Sequence, residues 1–224
     1  MTKQINILST KKLSEIQKKA LLDANFEVID EDFININYKK GLSFGEDLGE
    51  ALIFTSQNAV QSVLNHPKWE ELKTKNVFCV GIKTKELLTE NGFNVVAYTG
   101  YAADLAEIIV LIYNKESYTF FSGNLRRDIL PNTLKENGIQ FNEIEVYETN
   151  LTSKKITQKL NGILFFSPSG VESFLEKNKI TNEICFCIGE TTAEALENKN
   201  IKNIVIAQKP SVENVITEVV EYYK

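Results

Sequence analysis

Residues 186–196 read FCIGETTAEAL, and residues 78–88 read FCVGIKTKELL. At a separation of 108 positions, Phe78/Phe186, Cys79/Cys187, Gly81/Gly189, Thr84/Thr192, Glu86/Glu194 and Leu88/Leu196 are identical. Each copy is a short apolar strand, a glycine that lets the backbone turn tightly, and a threonine placed to cap the helical run that follows. A second block repeats upstream of each. Residues 52–64 read LIFTSQNAVQSVL and residues 163–175 read ILFFSPSGVESFL, with Phe54/Phe165, Ser56/Ser167, Val60/Val171, Ser62/Ser173 and Leu64/Leu175 matching 111 positions apart. Two blocks repeated in the same order predict two similar modules with a cleft between them.

Outward from these blocks, short apolar strands alternate with helical runs over the whole chain, which predicts an α/β fold with parallel sheets. Strands fall in groups of two, three, two and three. A strictly alternating stretch, residues 32–38 (DFININY) and 141–150 (FNEIEVYETN), follows each group of two and reads as an exposed antiparallel ribbon. Pairing each two with a three gives two five-stranded doubly wound, flavodoxin-like domains. They are either consecutive or interleaved. Interleaving gives both ribbons a purpose as a two-stranded linker ladder, so the expected division is 1–31 with 152–224, 40–143, and a ladder at 32–39 and 144–151. A helix closed by Gly138 is expected over 129–137, a short helix over 156–160, and a loop or short helix over 39–50.

Composition narrows the class. Of the 224 residues, 43% are hydrophobic, enough for packed cores, and a net charge of −5 argues against nucleic acid. No apolar run near 18 residues and no leader-like segment is visible, so neither a membrane nor export is expected; the chain reads as cytoplasmic. Cys79, Cys185 and Cys187 fit a reducing compartment, and with His66 alone beside them they are too few to hold a metal. GxGxxG, GxxxxGK[ST] and GxSxG are absent.

Four strands end alike, at Ser9, Ser56, Ser122 and Ser167. Ligands of open parallel sheets bind outside the carboxyl ends of strands, where helix starts offer free N–H groups to carboxylate or phosphate. Ser56-Gln57-Asn58, Ser122-Gly123-Asn124 and Ser167-Pro168-Ser169-Gly170 add side chains suited to capping. With Gly81 and Gly189, these loops are expected to line an anion site in the cleft.

These motifs carry a resemblance. The strand end IFTSQN, the paired turns VGIKT (80–84) and IGETTAEAL (188–196), SGNLRRDILPNTLKENG (122–138), VYET (146–149) and FFSPSGVESF (165–174) together resemble uroporphyrinogen-III synthases over nearly the whole chain. The resemblance implies two α/β domains joined by a two-stranded ladder, with the chain's two ends forming one domain. It implies closure of hydroxymethylbilane, a linear tetrapyrrole with eight carboxylates, to uroporphyrinogen III with inversion of ring D and loss of water. It implies no metal or organic cofactor; with the composition above, the chain is expected to act as a monomer with no nucleic-acid or membrane partner. Tyr147 matches the family's tyrosine that assists departure of the hydroxyl. Thr84, Thr191 and Thr192 match its substrate-binding threonines. The strand end at Thr10 is followed by Lys11 where many relatives carry arginine; lysine keeps the charge but loses the bidentate fork. Other readings of the same pattern are a non-catalytic two-lobed receptor for an anionic metabolite, which has no use for a ribbon phenol, and a pair of flavin- or nucleotide-binding domains, which would need a phosphate loop.

Overall fold

The structure, a computed structural model, describes residues 4–42, 44 and 48–224. In chain order the elements are β1 (Ile5–Ser9), α1 (Glu15–Asp23), β2 (Phe26–Asp30), β3 (Ile34–Tyr38), β4 (Ala51–Phe54), α2 (Gln57–Leu64), a 3₁₀ turn (Trp69–Thr74) and β5 (Asn76–Val80). They continue with α3 (Ile82–Glu90), β6 (Asn94–Thr99), α4 (Ala102–Ile112), β7 (Tyr118–Gly123), α5 (Ile129–Glu136) and β8 (Phe141–Leu151). The last six are β9 (Gly162–Phe165), α6 (Pro168–Lys177), β10 (Ile184–Cys187), α7 (Glu190–Glu197), β11 (Ile204–Ile206) and α8 (Val212–Tyr223).

The chain divides into two compact units, Met1–Asn35 with Asn150–Lys224, and Ile36–Thr149. The first is a five-stranded sheet in the order β11-β10-β9-β1-β2, parallel throughout. Successive residues of its central strands feed opposite faces. Leu8, Ile163, Phe165, Cys185 and Cys187 pack with Val171, Phe174 and Leu196 of α6 and α7. Ile7, Leu164 and Phe186 pack with Leu21 of α1 and Val215 and Val219 of α8. Burial on both faces is why these strands read as unbroken apolar runs.

The second unit holds β8-β7-β4-β5-β6 in parallel, with β3 added beyond β8. Lys39 N–H donates to Val146 O at 3.0 Å and Thr152 N–H to Phe33 O at 2.9 Å. As the residue number rises on one side it falls on the other, so β3 and β8 run antiparallel. The architecture is therefore α/β with two doubly wound parallel sheets joined by an antiparallel two-stranded ladder, as the strand pattern predicts. The second sheet has six strands rather than five because β8 is long enough to serve as both sheet strand and ribbon.

The spatial order of the first sheet, β2-β1-β9-β10-β11, is matched position for position by β8-β7-β4-β5-β6. The repeated sequence blocks, β4-α2 with β9-α6 and β5-α3 with β10-α7, thus hold equivalent places. In both units the winding direction reverses at one seam. After β1 the chain crosses to the α1/α8 face and after β9 to the α6/α7 face. After β7 it crosses to the α4/α5 face and after β4 to the α2/α3 face. The β1/β9 and β7/β4 seams are topological switch points, where ligands of such sheets bind.

Locally, one expected helix does not form and one unexpected turn does. Residues 156–160 form no helix, because Asn178 at the end of α6 takes their backbone: its Oδ1 accepts from Ile156 N–H at 2.8 Å and its Nδ2 donates to Lys154 O at 2.7 Å. The 3₁₀ turn at Trp69–Thr74 has no counterpart in the sequence reading; Leu72 anchors it in the core. Of the segment 39–50, Ser43 and residues 45–47 lie outside the described residues, and the rest forms no helix. Gly138 does follow α5, with φ at 71°.

Phe54 is fully buried between Phe121, stacked at 5.1 Å, and Phe93, edge-on at 6.3 Å. Phe54→Ala is expected to cost the second unit about 3–5 kcal/mol, read as a lower denaturant midpoint; a loss under about 1 kcal/mol would contradict this packing.

Candidate functional site

Strand carboxyl ends and helix starts meet at the two seams. In the second unit Ser56 ends the approach from β4 and caps α2, its Oγ accepting from Ala59 N–H at 3.2 Å. The same hydroxyl donates to the phenol oxygen of Tyr147 on β8 at 3.0 Å. Between them lies β7, whose last residue Gly123 pairs with Tyr147. A methyl group on Gly123 would come within 2.7 Å of the Tyr147 ring, so the ring needs the space a glycine leaves.

Tyr147 reaches this face through a bulge. Ser122 pairs with Glu145, but Gly123 pairs with Tyr147, leaving one extra residue in β8. Val146 and Tyr147 are consecutive, yet both pack in the core cluster under α2 and α3. Strict alternation, which the sequence reading assumed here, would send Tyr147 to the opposite face; the bulge re-aims it. The extra residue is fixed by its carbonyl, which accepts from buried Ser62 Oγ at 2.5 Å as well as from Lys39 N–H. Burial pushes the Tyr147 phenol above its ordinary value, with Tyr38 adding to the rise and the Ser56 hydrogen bond partly offsetting it. At neutral pH the phenol keeps its proton.

Thr84 and Thr192 are corrections to the reading as caps. The caps of α3 and α7 are Gly81 and Gly189, without side-chain bonds, and the threonines sit within the first turn as third helical residues. The strands end so close to the helices that only the glycine is left to cap. Gly81 turns with φ at 89°, but Gly189 is extended, so the tight-turn reason holds for the first copy only. Both threonines are buried, yet neither hydroxyl bonds to any described residue or is sealed from solvent. Side-chain capping is absent at these helices, and the N–H groups of Ile82, Lys83, Glu190 and Thr191 find no acceptor among the described residues. Gln57 and half-buried Asn58 at the start of α2 likewise keep free N–H groups.

In the first unit Ser167 caps α6, accepting from Gly170 N–H at 3.1 Å, and lies 3.1 Å from Ser169 Oγ. Across the seam, buried Thr10 donates its hydroxyl to Leu164 O at 2.7 Å. A methyl on Gly170 would lie 3.6 Å from that Thr10 oxygen, so strand end and helix start are in close approach. Ser9 does not cap: its Oγ donates to Lys11 O at 2.5 Å, and α1 is capped instead by Ser14 through a capping box with Gln17. Nor do Ser122 and Asn124 cap. Ser122 is buried and bonds Glu143, while Asn124 bridges to the backbone of Thr149, accepting from its N–H at 2.7 Å.

Two further residues, Ser62 and Arg126, support the site and were not singled out for it in the sequence. Ser62 pins the bulge. Its counterpart in the repeat, Ser173, lies 3.1 Å from Ser153 just beyond β8, so the Ser62/Ser173 identity marks a shared anchor. Arg126 forks onto Glu143 at 2.7 and 3.0 Å, tying the loop after Gly123 to β8. Burial opposes the Glu143 charge, but the Arg126 and Ser122 bonds hold its carboxyl below the usual range. His66 is structural: its Nδ1 accepts from Lys68 N–H at 3.1 Å and its Nε2 faces Leu42 O at 2.9 Å. Cys79, Cys185 and Cys187 are free and buried, their thiols pushed up to about 12 by burial. A concavity of about 430 Å³ lined by Lys155, Lys159, Phe174 and Lys177 lies at the far end of α6, on the sheet edge opposite the seams, and contains none of these residues.

Fold and site geometry define a class: an α/β protein of two doubly wound units, each with uncapped helix starts and hydroxyls at the carboxyl ends of its strands, the second unit also carrying the protonated Tyr147 phenol there. A family model described as uroporphyrinogen-III synthase HemD matches residues 17–217. The uroporphyrinogen-III synthase of Saccharomyces cerevisiae is 24% identical over 77% of this chain and 76% of its own length. The porphyrin biosynthesis protein HemD of Ruminiclostridium josui is 26% identical over 76% of this chain, which spans 37% of that longer protein. The crystal structure of uroporphyrinogen-III synthetase from Helicobacter pylori 26695 superposes with a TM-score of 0.71 at 24% identity, covering 98% of this chain and 100% of that one. The chain belongs to the uroporphyrinogen-III synthase family, lyases of tetrapyrrole biosynthesis.

Two outcomes are expected at this site. Tyr147 should titrate above an ordinary tyrosine, read as the alkaline absorbance difference between wild type and Tyr147→Phe; a normal midpoint would deny its burial. Gly123→Ala should force the ring off Ser56 and destabilise the second unit by about 1–3 kcal/mol in denaturant unfolding.

Proposed function

We propose that this chain closes hydroxymethylbilane to uroporphyrinogen III, with inversion of ring D and release of water. The carrying observation is Tyr147: a half-buried phenol at a topological switch point, protonated at neutral pH, whose own proton has no acceptor among the described residues. In this reading the phenol proton goes to the hydroxymethyl oxygen as the C–O bond breaks toward that oxygen, and water departs. The methylene carbon left by the hydroxyl bonds to the substituted α-carbon of ring D; the older bond from that carbon to the methylene bridging rings C and D breaks, and this bridging methylene rebonds at the free α-carbon of ring D, which then loses its proton. The proton set free on closure returns to the phenolate, so the balance is one water lost and no redox change.

Carboxylates of the substrate are assigned to the helix starts of each unit. In the second, these are Ser56, Asn58, Gly81, Thr84 and the Ser122-Gly123 turn. In the first, they are Thr10, Ser167, Ser169, Gly170, Gly189, Thr191 and Thr192. Uncapped N–H groups and partner-free threonine hydroxyls support the assignment. The bilane's hydroxymethyl end leaves readily from an electron-rich pyrrole, so the protein's main task is orientation. No metal or organic cofactor has a role in this scheme. Among the described residues no helix is long and apolar enough to cross a membrane, and three free cysteines support a cytoplasmic setting.

The test is conversion of enzymatically made hydroxymethylbilane, with isomers I and III separated. Tyr147→Phe keeps the ring and should fold normally yet turn over about 10²–10⁴ times more slowly, leaving spontaneous closure to isomer I. Thr192→Val should mainly raise KM. Wild-type yields of isomer III from folded Tyr147→Phe would remove the phenol from the mechanism.

A further inference from the structure

We infer that the Ser56 hydroxyl is a positioning group for Tyr147: it directs the phenolic proton away from the protein and polarises it, and any contact of Ser56 with a substrate carboxylate is made by its backbone N–H and not by this hydroxyl. The inference rests on the reading of Tyr147 above. Ser56 Oγ already accepts Ala59 N–H at 3.2 Å, so its own proton is free to be given, and Tyr147 Oη receives it at 3.0 Å. A phenol oxygen that accepts on one side presents its O–H on another. The Tyr147 O–H meets no acceptor among the described residues. The result is a directed relay from the Ala59 amide through Ser56 to Tyr147, rooted in the positive end of α2, in which each bond strengthens the next.

The surroundings make this arrangement hard to escape. Gly123 leaves the slot for the ring, and the β8 bulge turns the ring toward Ser56. Six residues after Ser56, Ser62 on the same helix holds the bulge by the Val146 carbonyl. Thus α2 grips β8 at two consecutive residues, one through backbone and one through the phenol. A serine serving only as a helix cap would need none of this. The titratable group acting on the phenol is Tyr38 on the neighbouring ribbon strand; the next residue, Lys39, is engaged elsewhere, its ammonium pairing with Glu145 at 2.7 Å and reaching Glu148 at 3.5 Å.

A double-mutant cycle on the full chain tests the inference, using hydroxymethylbilane turnover and the isomer ratio. Ser56→Ala is expected to lower kcat by roughly tenfold, part of the 10²–10⁴ range of general-acid help, with little change in KM. Ser56→Thr, which keeps a donor hydroxyl, should restore most of it. In the Tyr147→Phe background, Ser56→Ala should cost nothing further, because its effect passes through the phenol. The Tyr147 titration should move upward in Ser56→Ala, where a bond favouring the phenolate is lost. Because Ser56 also caps α2, Ser56→Asp is the control: it keeps the cap acceptor but has no proton to give, and it would hold the phenol proton inward. It should be at least as slow as Ser56→Ala. A wild-type rate for Ser56→Asp, or a full further loss on adding Ser56→Ala to a slow Tyr147→Phe, overturns the inference and leaves the role of Tyr147 standing. A fully active Tyr147→Phe overturns both.

Discussion

Parallel pairing is the constraint on which the rest depends. A parallel strand reaches its neighbour only through a crossover, and each crossover here is a helix or carries one. The parallel strands therefore all end on the same edge of their sheet, and the helices that follow them start there. The free N–H groups of α2, α3 and α7 are gathered by topology before any residue is chosen for binding. At the β1/β9 and β7/β4 seams the helices depart to opposite faces, so the edge opens where Thr10, Gly170, Ser56 and Gly123 lie. What individual residues add is the kind of group exposed at those openings.

Much of this was legible because it is periodic. Buried parallel strands appear as short apolar runs such as ILFF and ICFC, and the repeat of β4-α2 and β5-α3 shows directly in shared identities. The interleaved order was legible from the two alternating ribbons, since an exposed antiparallel strand cannot read like a buried parallel one. Illegible were events that break a period or depend on distant partners. Asn178 captures residues 154–156 from another element and suppresses a helix. The bulge at Val146 adds one residue to an otherwise alternating strand, and no local residue preference announces it.

The candidate site divides the same way. Its loops were legible from strand ends and glycines, but the work of each side chain was not. Thr84 and Thr192 read as caps because a threonine after a glycine before a helical run is a common start signal. They are inside the helices because α3 and α7 begin immediately after their glycines. That shift matters chemically. A capping hydroxyl is spent on a backbone N–H, whereas these two hydroxyls are left without a partner. Conversely, Ser122 looked like a free strand-end hydroxyl and is committed to Glu143. Tyr147 entered through family resemblance alone; only the paired placement of Gly123 and Ser56 supplies a physical reason for a tyrosine at that point.

The charge balance bears on how such a site must work. The chain carries a net charge of −5, and a substrate with eight carboxylates is repelled at long range. On the proposed reading, recognition rests on short-range donors, which act within hydrogen-bond distance and are screened little once water is displaced. Backbone N–H groups suit this, because they cannot rotate away and hold a carboxylate in one place. Lysines would draw the substrate in more strongly but fix its position less well. A reaction whose difficulty is choosing which carbon of one ring closes the macrocycle is helped more by fixed donors than by mobile charge. In the proposed mechanism a single neutral acid then suffices, provided its proton points one way, and Ser56, Gly123 and the Val146 bulge together leave the Tyr147 phenol few other directions.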